Sequence, residues 1–157
     1  MRTTMGRWLG IDFGHKRIGV AAGRSEDGIA SPLTVLEGLT LEAAIGKIRE
    51  LARDYQVVGV AVGWALNMDD TEGPQGLLTR QAAAAIAAAT GLDVRMWDER
   101  LSSFSADKAL AGQMTRKKRR GRQDALAAAK ILEDFFASDG PARSLRPEEA
   151  QAPKRAE

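Results

Sequence analysis

Apolar positions in the first quarter of the chain come in short runs separated by turn residues, which predicts strands. Arg7 to Phe13 and Arg17 to Gly23 form two such runs, joined by a tight turn at Gly14. Asp27-Gly28 carries a hairpin signal before a third run, Ile29 to Leu36. Pro32 inside that run requires an edge position or a bulge, because proline has no N–H for a ladder. The period then changes. After Thr40, a residue suited to capping, Leu41, Ala44, Ile45, Ile48, Leu51, Ala52 and Tyr55 recur at helical spacing. Val57 to Val62 lacks polar alternation, as expected of a strand covered on both faces.

Asn67 to Pro74 reads as a loop, and the alanine-rich stretch from Gln75 to Thr90 as a helix stopped by Gly91. Asp93 to Trp97 is a short strand followed by Asp98-Glu99-Arg100. Ser102 or Ser103 caps a predicted short helix reaching Leu110, and a last helix is expected from about Gln123 to Phe136. From Ser138 onward glycine, proline and balanced charge predict a disordered tail over 138–157, leaving one domain over 1–137. Three strands followed by alternating helices and strands imply an α/β fold. Its sheet is mixed and five-stranded, an antiparallel meander plus parallel strands, flanked by helices.

Charge sharpens this picture. The 157 residues carry a net charge of +2, but Arg116-Lys117-Lys118-Arg119-Arg120 and Arg122 place six positive charges within seven positions. Removing those six from the 23 basic residues leaves 17 against 21 acidic ones. A mildly acidic domain with one concentrated basic segment points to a polyanionic partner. The chain has no cysteine, which excludes disulfides and thiolate metal sites. It has no signal-peptide or membrane-spanning run either, so a soluble cytoplasmic protein with no membrane partner is expected.

Candidate chemistry lies at element ends. Asp12 closes the first strand, Asp98-Glu99 the last, and Asp124 opens the final helix on the same face as Ala128 and Ile131. Carboxylates held close repel one another and are tolerated when a cation neutralises them. An all-oxygen set suits Mg²⁺ or Mn²⁺, and two such ions about 3.5–4 Å apart serve in-line displacement at phosphorus. The basic run beside Asp124 suits backbone phosphates, which lysine and arginine neutralise without reading sequence. Other readings compete at each acid: a turn hydrogen bond for Asp12, an ion pair for Glu99, a helix-dipole contact for Asp124. Asp69, Asp70 and Glu72 read as loop acids, and Trp8, Trp64 and Trp97 as packing, with Trp64 also placed to stack on a base. His15, the single histidine, is conceivable as a general base, but its place in a tight turn favours phosphate contact or no role.

Four segments, in order, resemble the YqgF/RuvX family. They are Gly10 to Ala21, Leu66 to Asp69 with Thr71 to Pro74, Trp97 to Ser103, and Arg116 to Leu132. The resemblance spans roughly residues 7 to 137. It implies a ribonuclease H-like fold and a metal-dependent nuclease, either maturing the 5′ end of pre-16S ribosomal RNA or resolving Holliday junctions. Carried over by position, the catalytic and metal-binding acids would be Asp12, Glu99 and Asp124, with Asp98 beside them, holding Mg²⁺ or Mn²⁺. Lys16, Arg17, Arg100, Arg116, Lys117, Lys118, Arg119 and Arg120 would contact nucleic acid. The implied partners are pre-rRNA or branched DNA and the small ribosomal subunit, with a monomer or homodimer as the active species. The chain departs from the family at Gly63-Trp64-Ala65, where Gly-x-Pro is usual, and at His15, Asp70 and Ala125, none of which is a proposed ligand.

Two other functions fit parts of the pattern. Actin-like ATPases and sugar kinases share an Asp-x-Gly strand pair but need two lobes, and one fits in this length. A nucleic-acid-binding assembly factor without catalysis would need the basic run and not the three acids.

Overall fold

Residues 7–37 fold as an antiparallel meander because both intervals between their apolar runs are short turns. A computed structural model describes residues 5–14, 16–66, 69, 71–99 and 116–149, with residues 116–124 described by their backbone. Strands β1 (Arg7–Phe13), β2 (Arg17–Arg24) and β3 (Ile29–Glu37) are followed by α1 (Leu41–Asp54), β4 (Gly59–Trp64), α2 (Pro74–Thr90) and β5 (Asp93–Asp98). Helices α3 (Arg116–Ala137) and α4 (Gly140–Arg143) complete the described elements. The sheet order is β3-β2-β1-β4-β5, with β1–β4 and β4–β5 parallel. This is the expected mixed sheet. Pro32 lies on edge strand β3, where the register slips between Val20 and Ala21, so both accommodations open to a strand proline are used.

Alternation along β1 divides the interior. Leu9, Ile11 and Phe13 face a core with Ile48, Ala52, Ala82, Ala83 and Ile86 from α1 and α2. Trp8 faces the other way, into a cluster with Trp97, Ile131, Leu132 and Phe135. Thr40 caps α1 by accepting from the Ala43 N–H at 3.1 Å. Gly91 ends α2 in the left-handed region, φ 70°.

Three differences from the sequence reading bear on the sheet and the helix that covers it. Strand β4 begins at Gly59 because the Val57 N–H, at 3.1 Å from the Ala52 carbonyl, closes the end of α1. Helix α3 begins at Arg116, not near Gln123. The basic run is therefore helical backbone, and Asp124 lies two turns inside the helix, away from the dipole contact available at its first turn.

The third difference is at the C-terminus. Residues 138–149, expected as tail, close the free edge of β5. The Met96 N–H donates to the Leu145 carbonyl at 2.8 Å, and Arg95 Nη1 to the Ser144 carbonyl at 2.8 Å. Asp93 holds Arg95 at 2.8 Å and Arg146 at 3.4 Å. Pairing an otherwise open strand edge is the physical reason this polar stretch is held. The predicted short helix from Ser102 or Ser103 to Leu110, and residues 150–157, lie outside the described residues.

Candidate active site

The C-terminal ends of β1, β4 and β5 meet at one edge of the sheet, since the three strands are parallel. Ile11 pairs with Val62, Gly63 with Trp97, and Trp64 with Asp98. Asp12 is therefore level with Gly63 and Trp97. By alternation it shares the face of Trp8 and Gly10, which α3 covers. Glu99 follows β5 and reaches back to that same face. Its Oε1 lies 2.7 Å from where a Cβ would stand on Gly63, and Ile131 Cδ1 of α3 is also 2.7 Å from that point. The Glu99 carboxylate thus lies over β4, the strand between its own and that of Asp12. Asp98 alternates to the opposite face, the one on which Val94 and Met96 join the α1–α2 core.

Helix α3 runs antiparallel to β1 across this face. Phe135 packs on Trp8, with ring centroids 5.1 Å apart, and edge-on against Trp97 at 5.9 Å. One turn back, Leu132 and the Ala128 carbonyl lie on Gly10, where a Cβ would stand 2.9 and 2.7 Å from them. Asp124 is one turn before Ala128 in the direction that leads from Gly10 toward Asp12. The basic residues Arg116 to Arg120 occupy the preceding turns, so their backbone extends roughly 12 Å along the helix from Asp124 to its start. Of the three predicted acids, strand alternation puts Asp12 on the face where Glu99 lies over Gly63, and the backbone of α3 brings Asp124 toward that face.

The donor chemistry fits a hard divalent cation. Carboxylates gathered on one face, with the side chain at position 63 reduced to hydrogen so that Glu99 can enter, suit Mg²⁺ or Mn²⁺. Among the described residues no three metal-ligating side chains form a group. The third candidate ligand, Asp124, is described by its backbone alone.

The loop after β4 contains what the sequence reading missed. Glu72, read as a loop acid, is 3% exposed. Its carboxylate accepts from Arg80 Nε at 2.9 Å and Nη2 at 3.0 Å, and from the Trp64 indole Nε1 at 3.1 Å. The Arg80 pKa is raised, first by its hydrogen bond to Glu72 and also by that carboxylate's charge, against the opposing effect of burial. Trp64 is 7% exposed with its N–H engaged, so it packs and does not present a face for base stacking. Gln75 Nε2 donates to the Phe13 carbonyl at 2.7 Å, and Asp69 accepts from the Thr71 N–H at 3.1 Å. The eight-position separation of Glu72 and Arg80 spans a loop and a helix start, so no single periodicity links them.

Of the predicted phosphate contacts, Lys16 is exposed beside the β1–β2 turn and Arg17 is 3.4 Å from Glu37. In that turn the Gly14 N–H donates to the Arg17 carbonyl at 2.8 Å, and a Cβ on Gly14 would meet that oxygen at 2.7 Å. His15, Asn67, Asp70 and Arg100 lie outside the described residues, as do the side chains of Arg116, Lys117, Lys118, Arg119 and Arg120.

Comparison with known proteins agrees with this architecture. A family model described as "RuvX: Holliday junction resolvase" matches residues 6–138. A protein of Anaeromyxobacter sp. (strain K) named "Putative pre-16S rRNA nuclease" is 41% identical over 131 residues, covering 83% of this chain and 96% of that one. A Symbiobacterium thermophilum protein of the same name is 39% identical over 142 residues, covering 90% and 96%. Among solved structures, T. thermophilus RuvC in complex with a Holliday junction substrate superposes with TM-score 0.57 at 18% identity, over 88% of this chain and 99% of that chain. That likeness shows a ribonuclease H-like fold. Matched over residues 6–138 and about two-fifths identical to such relatives along most of its length, the chain belongs to the RuvX family.

Proposed function

We propose that this protein is a metal-dependent endonuclease that processes the 5′ end of precursor 16S ribosomal RNA in the cytoplasm. One observation carries the reading. Glu99 lies across Gly63 on the sheet face that also holds Asp12, and α3 approaches that face with Asp124. Relatives named for this RNA, about 40% identical over most of the chain, favour it as substrate.

Asp12, Glu99 and Asp124 would hold Mg²⁺ or Mn²⁺ through carboxylate oxygens. When bound, a pair of such ions supplies an activated water and neutralises the leaving oxygen. The chain's own part is to hold the acids on strand ends and a helix, so their positions are set by packing. Lys16, Arg17, Arg100 and the run Arg116 to Arg120 would neutralise flanking phosphates and anchor the strand being cut. The small ribosomal subunit, which carries that RNA, is then a natural partner.

The family description favours a second reading, resolution of four-way DNA junctions. A resolvase needs paired active sites and hence a dimer, whereas RNA end-processing needs one. The deciding experiment offers purified protein an RNA spanning the 16S 5′ region and a four-way DNA junction, each with Mg²⁺, Mn²⁺ or chelator. The mass of the active species is measured in parallel. Metal-dependent cutting of the RNA by a monomer supports the proposal, and junction cutting by a dimer replaces it with the second. Cutting that persists in chelator overturns the metal mechanism, and binding without cutting identifies a non-catalytic assembly factor.

A further inference from the structure

We propose that Glu72 and Gln75 are positioning residues that set the spacing of Asp12 and Glu99 by fastening the ends of β1 and β4 to one short segment, the end of the β4–α2 loop and the first turn of α2. The inference rests on the nuclease reading above and concerns how that site is held.

The argument begins with a cost. The Glu72 side chain is fully buried, and a buried carboxylate is tolerated only when its charge and lone pairs are met. Arg80 meets it with two nitrogens and Trp64 with its indole N–H. A well-packed apolar group would often stabilise a fold as well as such a pair does, so stability alone is a weak reason for it. A directed hydrogen bond also fixes where its partner sits. That partner, Trp64, is the last residue of β4. It follows Gly63, over which Glu99 lies, and pairs with Asp98, the residue before Glu99.

Three residues along, Gln75 performs the same task on the neighbouring strand. Its amide donates at 2.7 Å to the carbonyl of Phe13, the residue after Asp12. The stretch between them has little freedom. Pro74 starts α2, and at Gly76 an added Cβ would stand 2.5 Å from the Ala65 carbonyl and 2.9 Å from Glu72 Cγ. One short segment therefore grips residues adjoining Asp12 and Gly63 by hydrogen bonds that bypass the acids themselves. Outer contacts of this kind orient ligands and tune what they bind.

The test compares Glu72→Ala, Gln75→Ala and Glu72→Gln with Ile48→Val, a core change in α1 on the opposite face of the sheet. Two quantities are measured at a temperature where every variant is folded. They are Mn²⁺ affinity without substrate, from the free-ion electron paramagnetic resonance signal, and kcat and KM on the substrate the wild type cuts. Glu72→Ala and Gln75→Ala should weaken Mn²⁺ binding and lower kcat by about 10–100-fold, with KM for nucleic acid changed less than about twofold. Glu72→Gln keeps an acceptor for Trp64 and should fall between Glu72→Ala and wild type. Ile48→Val should lower stability and move neither quantity. Should Glu72→Ala not fold, Gln75→Ala, which gives up one hydrogen bond, decides the matter. Wild-type Mn²⁺ affinity and kcat in folded Glu72→Ala and Gln75→Ala overturn the positioning role alone. A wild-type protein that neither binds Mn²⁺ nor cuts overturns the nuclease reading and this role with it.

Discussion

Glu99 Oε1 sits 2.7 Å from the point where Gly63 would carry a Cβ. The contact is with the far end of a flexible side chain, as is that of Ile131 Cδ1, so an alanine there can be admitted by local movement. Gly63→Ala should leave the melting temperature within a few degrees of wild type and displace the carboxylate. A displacement of about 1 Å at a reacting centre costs on the order of 100-fold in rate. Cleavage rate and thermal unfolding measured on one preparation check this; a variant of full activity would show that Glu99 is not held where the chemistry needs it.

Asp12→Asn keeps the shape of the side chain and removes its charge. On the proposed mechanism it abolishes metal-dependent cutting while the circular dichroism spectrum is unchanged. Undiminished cutting would remove Asp12 from the proposed ligand set.

Gly10→Ala should differ from Gly63→Ala in costing stability. The new Cβ would stand 2.7 Å from the Ala128 carbonyl oxygen and 2.9 Å from Leu132 Cβ. Helix backbone cannot step aside as a side-chain tip does, so α3 must lift from the sheet. Overpacking of this kind costs about 1–3 kcal/mol, read as a lower urea midpoint. The shift of α3 should lower activity as well.

Replacing Arg116, Lys117, Lys118, Arg119 and Arg120 with glutamine should weaken nucleic-acid binding about evenly across sequences. The slope of log affinity against log salt should fall by about 0.7 for each single-strand phosphate that is no longer neutralised. Filter binding at several salt concentrations measures it. An unchanged slope would place the phosphate contacts elsewhere.

Ending the chain after Ala137 removes the Leu145 bridge to Met96 and the Ser144 hydrogen bond to Arg95, and leaves Arg95 and Asp93 at an open edge. The truncated protein should lose roughly 2–4 kcal/mol, about 1 kcal/mol per hydrogen bond plus exposed apolar surface. It should also self-associate through β5. Calorimetry and light scattering test both effects.

Local features were legible in the sequence wherever a few neighbouring residues decide the outcome. Apolar runs marked β1, β2, β3 and β5, Thr40 marked the cap of α1, and Gly91 its counterpart at the end of α2. The four family-like segments likewise lie within the span that the family model matches. Reading failed where local and distant demands compete. The polar composition of 138–149 offers little to bury, so nothing local showed that β5 needed an edge partner. The sequence reading starts the last helix near Gln123, after the basic run, whereas α3 begins at Arg116 and includes that run.

Composition and order along the chain thus determined the elements, the mixed sheet and the residue types available for chemistry, since these follow from periodicity and turn propensity. Tertiary structure alone decided which acids share a face. Strand register puts Asp12 level with Gly63, the missing side chain at Gly63 admits Glu99, and alternation sends Asp98 to the other face. It also turned Glu72 from a loop acid into a buried anchor for Trp64. Such facts depend on distances between segments far apart in sequence, and local composition does not encode them.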